Sequence, residues 1–272
     1  MQTNNTILIA TWNGVDNALQ WIDFNTAPNF KLVLFNYSGN NALPFNDANQ
    51  NGKYYHELIS TKTEFKGRIL AEVYHHFKNQ AGIEYIGIVD DDIQISIQCI
   101  NTLIEIAQTH KLDAFQAAVH PQSYFSHAYN VHQPGKAVEL VDWVEIMFPF
   151  YRKALFDAAH PFYTTYISSY GIDNFAIPYY QQLLSLNKAA VIHTVTMKHL
   201  KPVTDGSKVF SNGLTARTEG EKIRKKILAL IKAHPAKNQL FPPSFQRKVY
   251  QLNQLRLQAL KYRLKELLGI RY

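Results

Sequence analysis

The sequence predicts an α/β protein: a sheet with parallel strands, flanked by helices and followed by a basic helical extension. Three observations carry this. Short apolar runs ending in polar or turn residues alternate with segments of helical spacing. The apolar fraction is 46% against 18% charged, a globular balance and not a disordered one. Much of the +7 net charge (pI near 9.2) falls after residue 197, so the basic character is regional.

The elements follow in order. "TILIATWN" and "FKLVLFNYSG" read as buried parallel strands, with "VDNALQWIDF" between them spaced as a helix through Val15, Leu19 and Ile22. "YYHELIS" supplies a third strand. "FKGRILAEVYHHFKNQ" is a helix with Ile69, Val73 and Phe77 on one side. "YIGIVDDDI" is the next strand and "ISIQCINTLIEIAQTHK" the next helix. The alternation then weakens. "DAFQAAVHP" and "ELVDWVEIMFPFYRKALF" supply mixed strands and a helix, "YTTYISSYGIDNFAIPYYQQLLSL" a loop leading into a helix, and "AAVIHTVTMKHL" a last strand. Residues 203–217 form a polar loop. "EGEKIRKKILALIKAH" and "FQRKVYQLNQLRLQALKYRLKELL" close the chain as basic helices. The division expected is 1–205 for the sheet domain and 206–272 for the extension.

Several classes are excluded at this level. The single Cys99 leaves no intrachain disulfide framework and fits a reducing compartment. No apolar run approaches the roughly twenty residues that span a bilayer. The start lacks the pattern of a secretory signal, so the expectation is a cytoplasmic protein.

Ligands of parallel α/β sheets bind at the carboxyl ends of the strands. Thr11, Trp12 and Asn13, then Asn36, then Asp90, Asp91 and Asp92 fall there. Asp90 and Asp92 are two apart and point the same way from an extended strand end. That arrangement holds a hard cation, Mn2+ or Mg2+, whose shell phosphate oxygens complete. The competing reading has these acids complementing the start of the following helix. Asp91 either binds a ribose hydroxyl or caps that helix. His199 ends a strand and is either a plain polar residue or an imidazole that joins two carboxylates and a diphosphate around a cation, a set that suits manganese better than calcium; His193 shares its strand face. Lys66 and Arg68 begin a helix, and cations there are explained by a bound phosphate or by simple solvation. Trp12 stacks on a base or fills the core.

In "SSYGIDNFAIP", Asp173 is either a helix cap or a general base that takes the proton of an acceptor hydroxyl. Glu145, in "DWVEIM", is the second candidate for that work, or a satisfied structural acid. The tail places Val249, Leu252, Leu255, Ala259 and Tyr262 at helical spacing among lysines and arginines. It docks on the body, lies on anionic lipid, or follows nucleic acid. No recognised nucleic-acid motif accompanies it, so no specific nucleic-acid partner is expected.

The ordered set "FKLVLFNYSG", "EFKGRILAEVY", "EYIGIVDDDIQIS", "FQAAVHPQSYFSH", "VDWVEIMFPFYRKALF", "SSYGIDNFAIP" and "IHTVTMKHLKP" resembles a family of plant and bacterial domains of unknown function. That family in turn looks like the GT-A glycosyltransferases. The resemblance spans about residues 7–205 and implies a Rossmann-like GT-A mixed sheet with a nucleotide-sugar site at the strand ends. It implies Asp90 and Asp92 on the metal, His199 as the late histidine, and Glu145 and Asp173 on the acceptor side. His193 departs from the acid expected at its position. The activity implied is metal-dependent, inverting transfer from a nucleotide sugar to a glycan or glycolipid acceptor in a bacterial surface polysaccharide, such as lipopolysaccharide or capsule. The basic tail would then hold the enzyme at the inner face of the cytoplasmic membrane. The rivals are a non-catalytic glycan- or nucleotide-binding protein of the same fold and a metal-dependent nucleic-acid processing protein.

Overall fold

The computed structural model describes residues 5–15, 26–40, 56–203, 206–242 and 245. The expected helix through Leu19 and Ile22 and the closing helix beyond residue 245 lie outside the described residues. The chain runs β1 (Thr6–Trp12), β2 (Lys31–Asn36), β3 (Glu57–Ser60), α1 (Lys66–Phe77), β4 (Tyr85–Val89), β5 (Ile93–Gln94), α2 (Ile97–His110) and β6 (Ala114–Val119). It continues through β7 (Val138–Val141), β8 (Phe150–Arg152), α3 (Lys153–Ala158), α4 (His160–Thr165), α5 (Ile177–Leu184), β9 (Ala189–His199), α6 (Ala216–Ala233) and α7 (Lys237–Leu240). A 3-10 turn at Ala128–Asn130 and a π-helical turn at Ile172–Ala176 interrupt the loops.

The sheet order is β3-β2-β1-β4-β8-β6-β9-β5, with β7 also paired to β9. The first four strands are parallel, β1 meeting β2 with Trp12 opposite Asn36 and β4 with Ala10 opposite Val89. Parallel strands covered on both faces need continuous apolar runs, and β1 and β4 are buried throughout. β8 enters antiparallel between β4 and β6, and β5 and β7 run antiparallel to β9, so the sheet is mixed. Gly87 of β4 permits this: a Cβ there would lie 2.3 Å from the Phe150 ring.

Strand alternation divides the core between the two faces. Ile7, Ile9, Val33 and Phe35 face α1 and the α3–α6 layer, while Leu8, Ala10, Trp12, Leu32 and Leu34 face α2. On α1, Ile69, Leu70, Val73 and Phe77 form the buried stripe. Ser96 caps α2, its side chain accepting from the Cys99 N–H. The cap therefore comes from Ser96, and Asp90–Asp92 are free of that duty. α6 is capped by Thr215, which accepts from the Thr218 N–H, and sends Ile223, Ile227 and Ile231 into the same core as α1. No described helix is long and apolar enough to cross a membrane.

Candidate active site

β4 delivers Asp90, Asp91 and Asp92 to the carboxyl edge of the sheet, and each meets a different partner. Asp90 forms an ion pair with Lys66 at the start of α1. Asp91 accepts from the Tyr37 hydroxyl at 2.8 Å and lies 3.7 Å from Lys201. Asp92 lies 3.5 Å from His199 Nε2 and 4.0 Å from Lys201. The repulsion within the cluster is thus offset by cations from α1 and from the end of β9. α1 opens without a side-chain cap and without an acid in its first turn. Lys66 is therefore held there by Asp90 and not by favourable helix electrostatics.

The Asp92–His199 contact follows from strand pairing. β5 runs antiparallel to β9 with Ile93 opposite His199, and the Leu200 N–H donates to the Asp92 carbonyl at 2.8 Å. From the other side, Ser123 Oγ accepts the His199 N–H at 2.5 Å and donates to the His199 carbonyl at 3.0 Å. Burial works against the ionised form of Asp92, but His199, Lys201 and Lys66 together hold its carboxyl below the usual range. Burial likewise opposes the imidazolium, yet the Asp92 contact raises His199 above its ordinary value. Asp90 is pushed up by burial, and Lys66 only partly offsets this.

Among the described residues no three His, Cys, Asp or Glu side chains already close on a common point as metal ligands do. A pair does fit. Asp92 and His199 present one carboxylate and one imidazole across 3.5 Å, a donor set suited to Mn2+ or Mg2+. Asp90 is beside them but engaged by Lys66, and joins that set only by releasing the ammonium.

Asp173 and Glu145 form a second acidic pair. Gly171 at φ +90 turns the chain into the π-helical turn that carries Asp173. Asp173 accepts from the Ile146 N–H at 3.2 Å and the Asn174 N–H at 2.9 Å. Burial pushes it up to about 7, with those backbone donors pulling the other way. Glu145 is 5% exposed, and burial, then the charge of Asp173, push it up to about 8. Its backbone N–H donates to Gln116 at 2.5 Å, and its carboxyl lies 3.5 Å from His127, which burial lowers to about 4 and leaves neutral. Neither Glu145 oxygen completes a well-formed hydrogen bond, although Asn130 lies beside it. A desolvated carboxyl with a titration near neutrality, next to another, is a familiar arrangement for proton transfer.

The remaining expected residues take quieter places. Trp12 is fully buried, its indole N–H bonded to the Val15 carbonyl at 2.5 Å, so no face is open to stack on a base. Thr11 is 2% exposed. Asn13 accepts from the Val15 N–H at 3.0 Å. Asn36 stitches the loop after β2, accepting from Ser38 and donating to Asn40. Arg68 is exposed, whereas Lys66 points inward. His193 is 1% exposed and held between the Gln133 N–H (3.2 Å) and Glu139 (3.1 Å), as a buried structural histidine is. Sequence reasoning missed Tyr37, Lys201, His127 and Glu219. Glu219 left a signal: it stands four residues before Ile223 on the stripe continued by Ile227 and Ile231, an acid on an apolar face.

Comparison with solved structures places the fold. The chain superposes on S. aureus TarS residues 1–349 in complex with UDP-GlcNAc with a TM-score of 0.53 at 14% identity, covering 96% of this chain and 76% of that one. It superposes on the mannosyltransferase PcManGT from Pyrobaculum calidifontis, in complex with GDP-Man and Mn2+, with a TM-score of 0.53 at 12% identity, covering 96% and 75%. The fold is that of the GT-A glycosyltransferases. At such identities the likeness is one of fold. No protein-family model and no curated protein matches the sequence. Within the GT-A fold of this chain, the expected mixed sheet flanked by helices is present, with β5, β7 and β8 as its antiparallel strands.

Proposed function

We propose that this protein is a metal-dependent, inverting glycosyltransferase that moves a sugar from a nucleotide-sugar donor to a glycan or glycolipid acceptor. The observation that carries the reading is the meeting of Asp92 with His199, 107 positions apart in sequence, at the strand ends of a GT-A sheet. Asp92 and His199 would hold Mn2+ or Mg2+, with Asp90 completing the set after Lys66 moves. When bound, such a cation neutralises the departing diphosphate. Lys66, once released from Asp90, is placed to follow the same phosphates as a flexible point charge. Tyr37 and Lys201 fix Asp91, which would orient the donor's ribose.

Asp173 would act as the base. Its ionised carboxylate takes the acceptor hydroxyl proton as the new carbon–oxygen bond forms at the anomeric carbon. The bond from that carbon to the diphosphate breaks, and the nucleoside diphosphate leaves with the electron pair. Attack opposite the leaving group inverts the centre. Glu145, titrating above Asp173, stays protonated longer and would keep the buried pair from carrying two charges. The acceptor is proposed to belong to a bacterial surface polysaccharide, with the basic closing segment holding the enzyme at the cytoplasmic face of the membrane.

The test is calorimetric titration with UDP- and GDP-sugars, with and without Mn2+, followed by an assay for released nucleoside diphosphate. Metal-dependent donor binding that Asp92→Asn abolishes supports the reading. Donor binding indifferent to both metal and Asp92 refutes the metal assignment, and absence of any sugar-nucleotide binding refutes the function.

A further inference from the structure

Beside the acids lies a cavity of about 330 Å³ that the proposed reaction does not yet use. Lys66 forms one wall, shared with Asp90. Ser168 and Tyr170 form another, in the segment that leads into Gly171 and Asp173. The loop at Gly206–Phe210 closes the third side, and its Lys208 ammonium sits 4.6 Å above the Phe65 ring. Phe65 and Phe210 meet edge to face at 4.1 Å.

Two features show that the cavity is built to receive a group. Ser168, which lines the space, is 3% exposed, and its buried Oγ has no hydrogen-bond partner. A buried hydroxyl left unpaired is costly unless something arrives to bond it. The loop is also held close: a Cβ on Gly206, at φ +73, would stand 3.1 Å from the Tyr170 ring, and the Gly206 carbonyl accepts the Arg217 N–H at 3.4 Å. The acids nearby are committed elsewhere. Glu219 accepts from backbone behind Ser168, Glu64 from Ser211, and Asp90 from Lys66. The Lys208 ammonium, a buried hydroxyl and two aromatic rings remain, with Lys66 held by Asp90 at the edge.

We propose that this cavity is a subsite for a phosphate-bearing saccharide acceptor. The phosphate is taken by Lys208 and the Ser168 hydroxyl, and the carbon skeleton rests on Phe65 and Phe210. The proposal rests on the transferase reading, because the cavity lies between Lys66, on the donor side, and the segment carrying Asp173. A volume near the small end of ligand pockets, about 300–1,000 Å³, suits one monosaccharide unit and its phosphate. Donor diphosphate is the other source of the same chemistry, and the experiment separates the two.

Calorimetric titration of the full chain with glucose 6-phosphate, methyl glucoside and inorganic phosphate, each with and without saturating UDP and Mn2+, is the test. Expected is binding of the sugar phosphate, tighter than inorganic phosphate, with none of the neutral glycoside, and unchanged by UDP. Lys208→Ala weakens it about tenfold and Lys208→Arg restores it, as a charge-assisted contact requires. Ser168→Ala weakens it less, with an unchanged melting temperature. Competition between UDP and glucose 6-phosphate overturns the proposal by assigning the cavity to the donor. Absence of phosphate binding, or binding indifferent to Lys208, overturns it outright. Sugar-phosphate binding that obeys Lys208 in a protein that binds no nucleotide supports the phosphate subsite while overturning the transferase reading.

Discussion

Glu219 of α6 accepts hydrogen bonds from two successive backbone N–H groups, those of Ile167 at 3.2 Å and Ser168 at 2.7 Å. Asn212 donates to the same carboxylate at 2.7 Å. A side chain 52 residues downstream thus fixes the entry to the turn that presents Asp173. Glu219→Ala leaves two buried donors unpaired and should cost about 3 kcal/mol in urea unfolding. Glu219→Gln, which keeps one acceptor, should cost less.

Asp92→Asn removes the carboxylate that raises His199. The expected result is a fold of near-native stability, turnover lowered at least about a hundredfold, and an imidazole that titrates lower than in the wild type. Proton NMR of the His199 ring checks the last point without any substrate. A ring that titrates as before would show that Asp92 does not set its charge.

If Asp173 is the base, Asp173→Asn should abolish transfer while leaving donor binding intact, since a base in that role would touch only the acceptor. In the wild type, kcat should rise with pH through about 7, where Asp173 ionises. A profile flat from pH 5 to 9 would exclude it as the base.

Stability should run the other way. Asp173 and Glu145 are raised in the fold to about 7 and about 8. Between the ordinary carboxyl range near 4 and those values, the unfolded chain has lost protons that the folded chain keeps. The contribution of these two groups is therefore full at low pH, falls as pH rises through this window, by at most about 1.4 kcal/mol per unit per group, and levels off above it. Glu145→Gln should flatten the upper part of the slope in denaturant titrations at stepped pH.

Gly67→Ala tests the packing of α1 on the same loop. A Cβ there would meet the Ile167 carbonyl oxygen at 2.4 Å and the Ser168 carbonyl oxygen at 2.6 Å, both backbone. Backbone cannot rotate away, so a loss of about 1–3 kcal/mol and a drop in turnover should appear together. Equal stability and rate would mean the loop shifts freely.

What the sequence made legible was whatever repeats along the chain. The runs at 6–12, 31–36 and 85–89 are buried on both faces and announce themselves as parallel strands, and the stripe on α1 is read as easily. β8, only Phe150–Arg152, is too short to have a period, and its place between β4 and β6 depends on the missing side chain at Gly87, far away in sequence. The acids and His199 were legible by position at strand ends, but their separate partners were not, because Tyr37, Lys66 and Lys201 come from three other segments. Trp12 shows the converse. It stands at a strand end, yet the alternation of β1 turns it into the core with Leu8 and Ala10. The division at residue 205 marks a change in charge, whereas packing runs on across it through the isoleucines of α6.

The pairing of Lys66 with Asp90 means that this strand end is never simply waiting for charge. A divalent ion drawing on Asp90 there would have to displace an ammonium, and the displaced group would stay tethered close by. Loading would then be an exchange of partners, and a metal and an anion should each be held more firmly in the presence of the other than alone.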